Sequence, residues 1–498
     1  MENKLTKKYG LFTAICMVVG IVIGSGIFFK AQDVLKETAG NALMGVLAWL
    51  IGGAIMAFLA VSFGIMATKY EKAGGVVDYA EAMCGKGYAY FFSWFASVIY
   101  YPAMTSVLAW VSARYTIVAI NGIANSEINP LYSTECMVLA ILYMIAIYFM
   151  NSIAPKLAGK FQVTTTVIKF IPIVVIALVG TVYGLISGVL VENFKYVSEM
   201  AGEIFIDAGS ADANITVGTG NLFAAVCCTV FAYEGWVIAT SINAEIKDSK
   251  RNLPIALALG ALIIVGAYAL YYLGILGLEK IGVLGAEGTT AAFGIFGKVG
   301  AAVINFMIVV SCLGTLNGLM LGCSRGFYAM AVRNDGIAPD VLVEVDERTN
   351  VPHNSASIAL LICVGWLAYF ITAQDFGPGS LNLFGEYGFD SSELPVVTVY
   401  PLYIPILAMF MVKSKDMHPL KRFVIPSLAI IGASVVVAAS IIRHGMDNVW
   451  YLIVFAVISG IGALFYRGGT GVSVSDKIKA KLFGAKAAAD ENEGDKAE

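Results

Sequence analysis

The 498-residue sequence contains little charge and little histidine. Only 13% of its residues are Asp, Glu, Lys or Arg, three are histidine, and the formal net charge is −3. A soluble protein uses about 25% charged residues to cover its surface, so the deficit excludes a soluble enzyme and a disordered chain. The near-neutral balance also excludes a nucleic-acid-binding protein. The chain has instead 58% hydrophobic residues and 52 glycines, a composition typical of transmembrane helices.

Motifs that hold metals, nucleotides or catalytic nucleophiles are also missing. None of the eight cysteines forms a C-x-x-C pair, and the sequence contains no P-loop, no H-E-x-x-H and no intact G-x-G-x-x-G. We therefore expect no metal, no cofactor and no ATP. Residues 322–326 (G-C-S-R-G) match the G-x-S-x-G hydrolase motif. That motif requires a strand–turn–helix, whereas these residues end a long apolar helix, so we do not expect an enzyme.

Long apolar stretches predict an all-α integral membrane protein with twelve transmembrane helices. About 20 apolar residues are needed to cross a bilayer, and polar or charged clusters separate stretches of this length. The predicted spans are residues 10–36, 42–67, 88–120, 132–152, 161–187, 219–245, 252–277, 297–331, 354–373, 394–412, 423–442 and 447–466.

Basic residues are unevenly distributed between the predicted connections. Most of the 32 fall in one set, which includes the N-terminus and the tail. The positive-inside rule places that set in the cytoplasm, so we expect both termini there. Asp78 and Glu81, on the cytoplasmic side, are expected to be solvated loop charges. The basic residues expected on the outer side are Lys30, Lys36, Arg114, Lys195, Lys280, Lys298 and Arg443.

One basic residue, Lys169, lies inside the otherwise uncharged apolar stretch 162–184. An ionisable side chain there is unfavourable unless it is paired or hydrated, which makes it a candidate functional residue. Alternatively, its side chain reaches the cytoplasmic interface. About 12 Å of helix rise separates Lys169 from the start of the span, which favours the functional interpretation.

The first predicted span contains a dense group of glycines at residues 20–28 (G-I-V-I-G-S-G-I-F). Each glycine destabilises a helix interior by about 1 kcal/mol relative to alanine. Spacing of Gly20 and Gly24 also fits a close helix-packing face. The Gly-Ser-Gly unit exceeds what packing requires, so we predict local unwinding that leaves backbone N–H groups free.

The sixth predicted span carries an acidic residue and a glycine among aromatics at residues 231–236 (F-A-Y-E-G-W). An interfacial aromatic belt is the alternative interpretation, but the group lies near the middle of the span. Interrupted helices at matching positions of two five-helix halves indicate a transporter binding site. Free N–H groups suit a carboxylate, and free carbonyls with Glu234 suit an ammonium. The predicted ligand is therefore a zwitterion, that is, an amino acid.

These segments resemble the amino acid–polyamine–organocation superfamily, and most of all its L-type amino acid transporter branch with the bacterial relatives. The resemblance covers most of the chain except the last two spans and the tail. It is carried by residues 20–28, 72–75, 162–169, 231–236, 247–254 and 324–336.

The resemblance implies a leucine-transporter-like fold of two inverted five-helix repeats, with discontinuous helices 1 and 6. It also implies amino acid transport by alternating access. The first repeat would cover residues 1–187 and the second residues 188–413. Two further helices would occupy residues 414–466, and residues 467–498 would form a cytoplasmic tail.

The resemblance also implies roles for individual residues. The carboxylate site would be formed by Ile23, Gly24, Ser25 and Gly26. The ammonium would be bound by carbonyls near Phe231, Ala232 and Glu234, with Phe231 as a gate and Tyr233 and Gly235 as further candidates. Lys169 matches a lysine that occupies the place of sodium in sodium-coupled relatives, and Tyr268 matches a tyrosine near that lysine.

The expected function is therefore sodium-independent transport, by exchange or proton coupling, of neutral L-amino acids across the plasma membrane. Two departures from the family pattern are Ser62, where a glutamate is usual, and Glu234, where a small residue is common. Because of Glu234, a cationic amino acid or polyamine antiporter is an alternative. A non-transporting amino acid sensor is a second alternative. The sequence does not indicate an oligomeric partner.

Overall fold

Long runs of apolar, helix-compatible residues give a structure that is mainly helical. The computed structural model describes residues 10–70, 75–205, 215–240, 246–374, 381–468 and 472–475. Within these ranges, ten helical segments are long and apolar enough to cross a membrane, since about 20 residues suffice. Parts of the predicted motif at 72–75, the end of the predicted sixth span at 241–245 and almost all of the tail at 467–498 lie outside the described residues.

The helices are numbered here in chain order. In the first half they are α1 (Leu11–Val22), α2 (Gly26–Glu37), α3 (Ala42–Ala67), α4 (Val76–Cys84), α5 (Lys86–Phe95), α6 (Tyr101–Ala124), α7 (Thr134–Ile153), α8 (Pro155–Ile168), α9 (Phe170–Val175), α10 (Thr181–Ser187) and α11 (Val189–Met200). In the second half they are α12 (Leu222–Tyr233), α13 (Trp236–Thr240), α14 (Ser249–Leu278), α15 (Ile281–Glu287), α16 (Gly297–Ala331), α17 (Pro339–Leu342), α18 (His353–Ala373), α19 (Leu394–Lys413), α20 (Ile425–His444) and α21 (Asp447–Leu464).

Short irregular helical turns complete several of the long segments. A π-helical turn at Ala96–Tyr100 joins α5 to α6, and a second at Ile176–Gly180 joins α9 to α10. A third precedes α20 at Leu420–Val424, and 3-10 turns lie at Thr289–Phe296 and Gly385–Tyr387. Lys86–Ala124 and Pro155–Ser187 therefore each behave as one long apolar segment.

The first and sixth predicted spans are both interrupted, at the residues that their glycines indicate. Helix α1 ends at Val22 and α2 begins at Gly26, while α12 ends at Tyr233 and α13 begins at Trp236. Gly235 has φ of +104°, a left-handed backbone conformation that is unfavourable for residues with a Cβ atom. Gly26 packs directly against the backbone of Ala232. The two interruptions therefore face each other.

Helices from the two halves of the chain pack in matching pairs. Helix α6 packs along α16, α3 along α14, and α1 and α2 contact α13 and α12. The members of each pair are five predicted spans apart. This arrangement places both interruptions in the interior of the helical bundle.

Two connections differ from the sequence-based expectation. The region 188–218, expected to be a loop, contains α11 and a short antiparallel pair in which Ile204–Phe205 (β1) aligns with Ile215–Thr216 (β2). The connection with Asp78 contains α4, and Asp78 is not solvated: it is 7% exposed and bonded to Arg333 at 2.8 Å. A partner from a distant helix stabilises this carboxylate, and the sequence gave no indication of it.

Candidate functional site: two facing helix interruptions

The first interruption leaves the backbone polar groups of residues 20–26 without regular helix partners. The last bond of α1 runs from the Ile23 amide to the Val19 carbonyl, and the Phe29 amide bonds to the Ser25 carbonyl at the start of α2, each at 2.9 Å. Ile23 adopts an extended backbone (φ −67°, ψ 103°). The first amides of α2 therefore point into the interruption, where the helix dipole favours a negative charge. This is the geometry that a carboxylate site requires.

The Ser25 hydroxyl lies at this helix start. Ser25 is 1% exposed, and its Oγ makes no conventional hydrogen bond within the described residues. The Cys312 thiol is a polar neighbour that acts on it only weakly. A buried hydroxyl without a good partner is unfavourable by about 1–3 kcal/mol. A ligand carboxylate would supply the missing partner.

Lys169 bonds to the first interruption and does not reach the membrane interface. The residue is fully buried, and its Nζ donates to the Gly20 carbonyl. In a continuous helix that carbonyl would accept from the Gly24 amide, so the interruption frees it. Lys169 therefore replaces a backbone hydrogen bond that the chain has given up.

Tyr268 on α14 connects both interruptions. Its hydroxyl lies 3.1 Å from the Val22 carbonyl and 3.1 Å from the Ala232 carbonyl, and the Gly24 amide approaches its oxygen. In uninterrupted helices these carbonyls would accept from residues 26 and 236. A single hydroxyl proton serves both acceptors, so Tyr268 senses the separation of the two helix ends. Its predicted position near the first interruption is confirmed by these contacts.

The second interruption carries its own acid. Glu234 has an extended backbone (φ −73°, ψ 165°) and is 4% exposed. Its Oε2 accepts hydrogen bonds from the Tyr100 hydroxyl at 3.1 Å and from the Gly235 amide at 3.0 Å. Its Oε1 has no hydrogen-bond partner within the described residues. Neither partner of the carboxyl carries a positive charge, so one oxygen remains available for a cation or a proton.

The two aromatic residues before Glu234 point in different directions. Phe231 packs edge-to-face on Phe29 with centroids 5.9 Å apart. Tyr233 turns toward α3 and donates to the Trp49 carbonyl at 2.8 Å. The structure thus places the Phe231 ring beside α2, and it does not bring the Tyr233 side chain into the interruption.

The structure adds a group of buried charges that sequence reasoning missed. Lys30 and Glu393 are each 1% exposed and lie 2.6 Å apart, although 363 residues separate them. The sequence placed Lys30 and Arg443 in the outer connections because both lie near the ends of apolar stretches. The position of Lys30 one helical turn after Gly26 was the available signal. We call this group the Lys30 network; it comprises Lys30, Asp33, Glu37, Glu393, Arg443 and His444.

One part of that network has donor atoms suited to a metal ion. Atoms of Cys227, Glu393 and His444 lie within 4.8 Å of one another. However, the Glu393 carboxylate already contacts Lys30 at 2.6 Å and Arg443 at 2.9 Å. Two adjacent positive charges oppose a divalent cation, so these residues do not fit a resident metal.

Two further residues from the sequence reasoning have structural roles. Ser62, the departure from the usual glutamate, is fully buried and donates to the Phe58 carbonyl of its own helix at 2.7 Å. Ser324, in the hydrolase-like motif, lies inside α16 and donates to the Met320 carbonyl at 2.8 Å. A serine within a continuous helix does not form the exposed nucleophile of a strand–turn–helix.

Comparison with known proteins identifies the family. Residues 9–464 match the amino acid permease family, and the chain belongs to it. The serine/threonine exchanger SteT of Bacillus subtilis (strain 168) is 27% identical over 457 residues, which is 90% of this chain and 94% of that protein. The human cystine/glutamate transporter is 26% identical over 353 residues, 70% of this chain and 65% of that protein. The rat large neutral amino acids transporter small subunit 2 is 25% identical over 381 residues, 74% of this chain and 65% of that protein. The membership that the motifs indicated is therefore confirmed.

Proposed function

We propose that this protein transports amino acids across the membrane by alternating access, with the substrate bound between the two interruptions. The observation that carries the proposal is that both interruptions face each other in the bundle interior, joined by Tyr268. Free amides at the start of α2 and the Ser25 hydroxyl suit the carboxylate of the substrate. Carbonyls near residues 231–234 suit its ammonium. Gly24, Gly26 and Gly235 allow the backbone to approach the ligand closely.

Coupling to sodium is not part of the proposal. Lys169 places a buried amine at the first interruption, where its Nζ bonds to the Gly20 carbonyl. A fixed positive charge there opposes binding of a sodium ion. We therefore infer sodium-independent exchange or proton-coupled transport.

Neutral L-amino acids are the proposed substrates. Two of the relatives carry names that refer to serine and threonine or to large neutral amino acids. A cationic amino acid or polyamine antiporter is the second candidate, because the free Oε1 of Glu234 supplies a negative group beside the ammonium site. A third candidate is a sensor that binds amino acids without transporting them.

The topology that completes this proposal has twelve spans in two inverted repeats at residues 1–187 and 188–413. Ten long helices together with the interrupted pairs α1–α2 and α12–α13 support the count. The packing of α3 with α14 and of α6 with α16 supports the repeats. Residues 414–466 add two helices and residues 467–498 a tail, with both termini in the cytoplasm of a cell whose plasma membrane holds the protein.

Counterflow in proteoliposomes tests the function. The purified protein is loaded with unlabelled serine, and uptake of labelled serine is competed with twenty amino acids and common polyamines. The panel is run at two pH values, with and without sodium. We expect neutral amino acids to compete and sodium to have no effect. Binding without flux would favour the sensor, and competition by polyamines or arginine alone would favour the second candidate.

A further inference from the structure

A dry set of ion pairs joins four helices on one side of the proposed substrate site. Lys30 extends from α2, Glu393 directly precedes α19, and Arg443 ends α20. The Arg443 guanidinium lies 2.9 Å from Glu393 and 2.6 Å from Glu37, and the His444 imidazole lies 3.1 Å from Glu393. The network therefore ties α2, which begins at the first interruption, to α19 and α20.

The same network reaches α12, which ends at the second interruption. The Cys227 thiol of α12 lies 3.9 Å from the Glu393 carboxylate, and the Cys228 thiol contacts Arg443 at 2.6 Å. The Lys30 ammonium lies 4.6 Å from the centroid of the Phe29 ring and 5.5 Å from that of the Phe231 ring. Lys30 thus holds the aromatic pair and the carboxylate together.

A cavity of about 420 Å³ lies against this group. Its lining includes Phe29, Lys30, Arg114, Ser392 and Arg443. On the far side of Phe29 and Phe231 are the interruptions, where Ser25 is 1% and Glu234 4% exposed. A ligand in the cavity is therefore separated from the interruptions by two aromatic rings and by the Lys30–Glu393 ion pair.

We propose that Lys30 and Glu393 form an outer lock, which closes α2 and α12 against α19 and α20 and must open before an amino acid passes from the cavity to the interruptions. The proposal depends on the alternating access proposed above. A buried ion pair is well suited to this role, because each charge is strongly unfavourable without the other when water is excluded. Opening the lock hydrates both partners, so water admitted with the substrate replaces the lost contact.

Removing Lys30 is the informative change. In Lys30→Met the Glu393 carboxylate keeps Arg443 at 2.9 Å and His444 at 3.1 Å as partners, so no buried charge is left alone. Asp33, the other partner of Lys30, is 28% exposed and becomes hydrated. The variant therefore releases α2 from α19 while the Arg443 contacts remain.

Cys227 and Cys228 report on the state of the lock because both are buried behind it. Sealed vesicles are treated with a membrane-impermeant methanethiosulfonate added on the side of the cavity. Modification of the peptide with Cys227 and Cys228 is then followed by mass spectrometry. We expect Lys30→Met to accelerate this modification by about tenfold or more, a factor typical of losing a hydrogen bond to a charged group. We expect Lys30→Arg, which keeps the charge, to react at the rate of the unmodified protein.

Two controls separate opening from unfolding and from a general charge effect. Lys280→Met removes an exposed ion pair with Glu192, whose side chains are 63% and 59% exposed at 3.1 Å, and it should leave the rate unchanged. Cys312 is buried beside Lys169 and should stay unreactive. Equal rates for Lys30→Met and the unmodified protein would overturn the lock, and so would an equal rise at Cys312.

The labelling experiment needs no amino acid flux. Unchanged labelling with normal counterflow would refute the lock and leave the transport proposal intact. Lys30-dependent labelling without counterflow would refute the proposed function, and the lock would then stand as a closure of a binding site.

Discussion

The two interruptions solve the same backbone problem in different ways. At the first, the freed carbonyls of Gly20 and Val22 accept from Lys169 and Tyr268, which belong to other spans. At the second, Glu234 accepts from the adjacent Gly235 amide, and Tyr100 is its one side-chain donor. The first interruption is thus stabilised by distant helices and the second largely by its own residues.

This difference indicates a division of roles. Donors on distant helices couple the first interruption to any movement of α8, α9 or α14. The second interruption keeps a free carboxylate oxygen on Glu234, which can contact a substrate without rearranging the bundle. We therefore expect changes at the first site to affect transport rate, and changes at Glu234 to affect the choice of substrate.

The largest effect is expected for Lys169→Ala. The change leaves the Gly20 carbonyl without its donor, and the loss of a charged hydrogen bond corresponds to about 10- to 100-fold. Counterflow should fall by that factor while the protein is still produced and inserted. Lys160→Ala, an exposed position on the same helix α8, is the matched control. Normal counterflow in Lys169→Ala would contradict the role given to this lysine.

Tyr268→Phe should have the next largest effect. It removes the hydroxyl that lies 3.1 Å from carbonyls of both interruptions, and we expect counterflow to fall about 5- to 30-fold because buried carbonyls lose their donor. Tyr233→Phe is a matched control, since its hydroxyl also donates to a buried carbonyl, that of Trp49 at 2.8 Å. If both variants lose the same activity, the connection between the interruptions is not what matters.

How much of this arrangement was predictable depended on how local the signal is. Apolar stretches predicted the helices, because about 20 adjacent residues decide a span, and the glycines at 24, 26 and 235 predicted the interruptions. Lys169 was identified because a charge inside an apolar stretch is conspicuous. The acceptor at Gly20 could not be predicted, because 149 residues separate it from the lysine.

The same limit explains what was missed. Lys30 and Glu393 lie at the ends of apolar stretches, where charges ordinarily meet water or headgroups, so nothing in the sequence marked them as buried. Their pairing across 363 residues follows only from the packing of α2 near α19 and α20. Asp78 was assigned to solvent for the same reason, and Arg333 of a distant segment covers it.

Glu234→Gln tests the second interruption with a smaller effect. The change keeps the shape of the side chain and removes its negative charge, so cationic amino acids should compete about tenfold less well while neutral ones are unaffected. The measurement is the ratio of arginine to serine competition in counterflow. Glu199→Gln, at an exposed position of α11, controls for net charge. An unaltered competition profile would show that Glu234 does not face the substrate.

The smallest effect is expected for Ser25→Ala. The amides at the start of α2 remain in this variant, and only the buried hydroxyl is lost, so the apparent affinity for substrate should weaken about threefold, as for one neutral hydrogen bond. The maximal rate should stay unchanged, because the contacts of Lys169 and Tyr268 with the backbone are preserved. Ser324→Ala is the matched control, since its hydroxyl bonds within its own helix at 2.8 Å. A fall in maximal rate with unchanged affinity would mean that Ser25 stabilises the interruption itself, and the first site would then depend on its own residues as the second does.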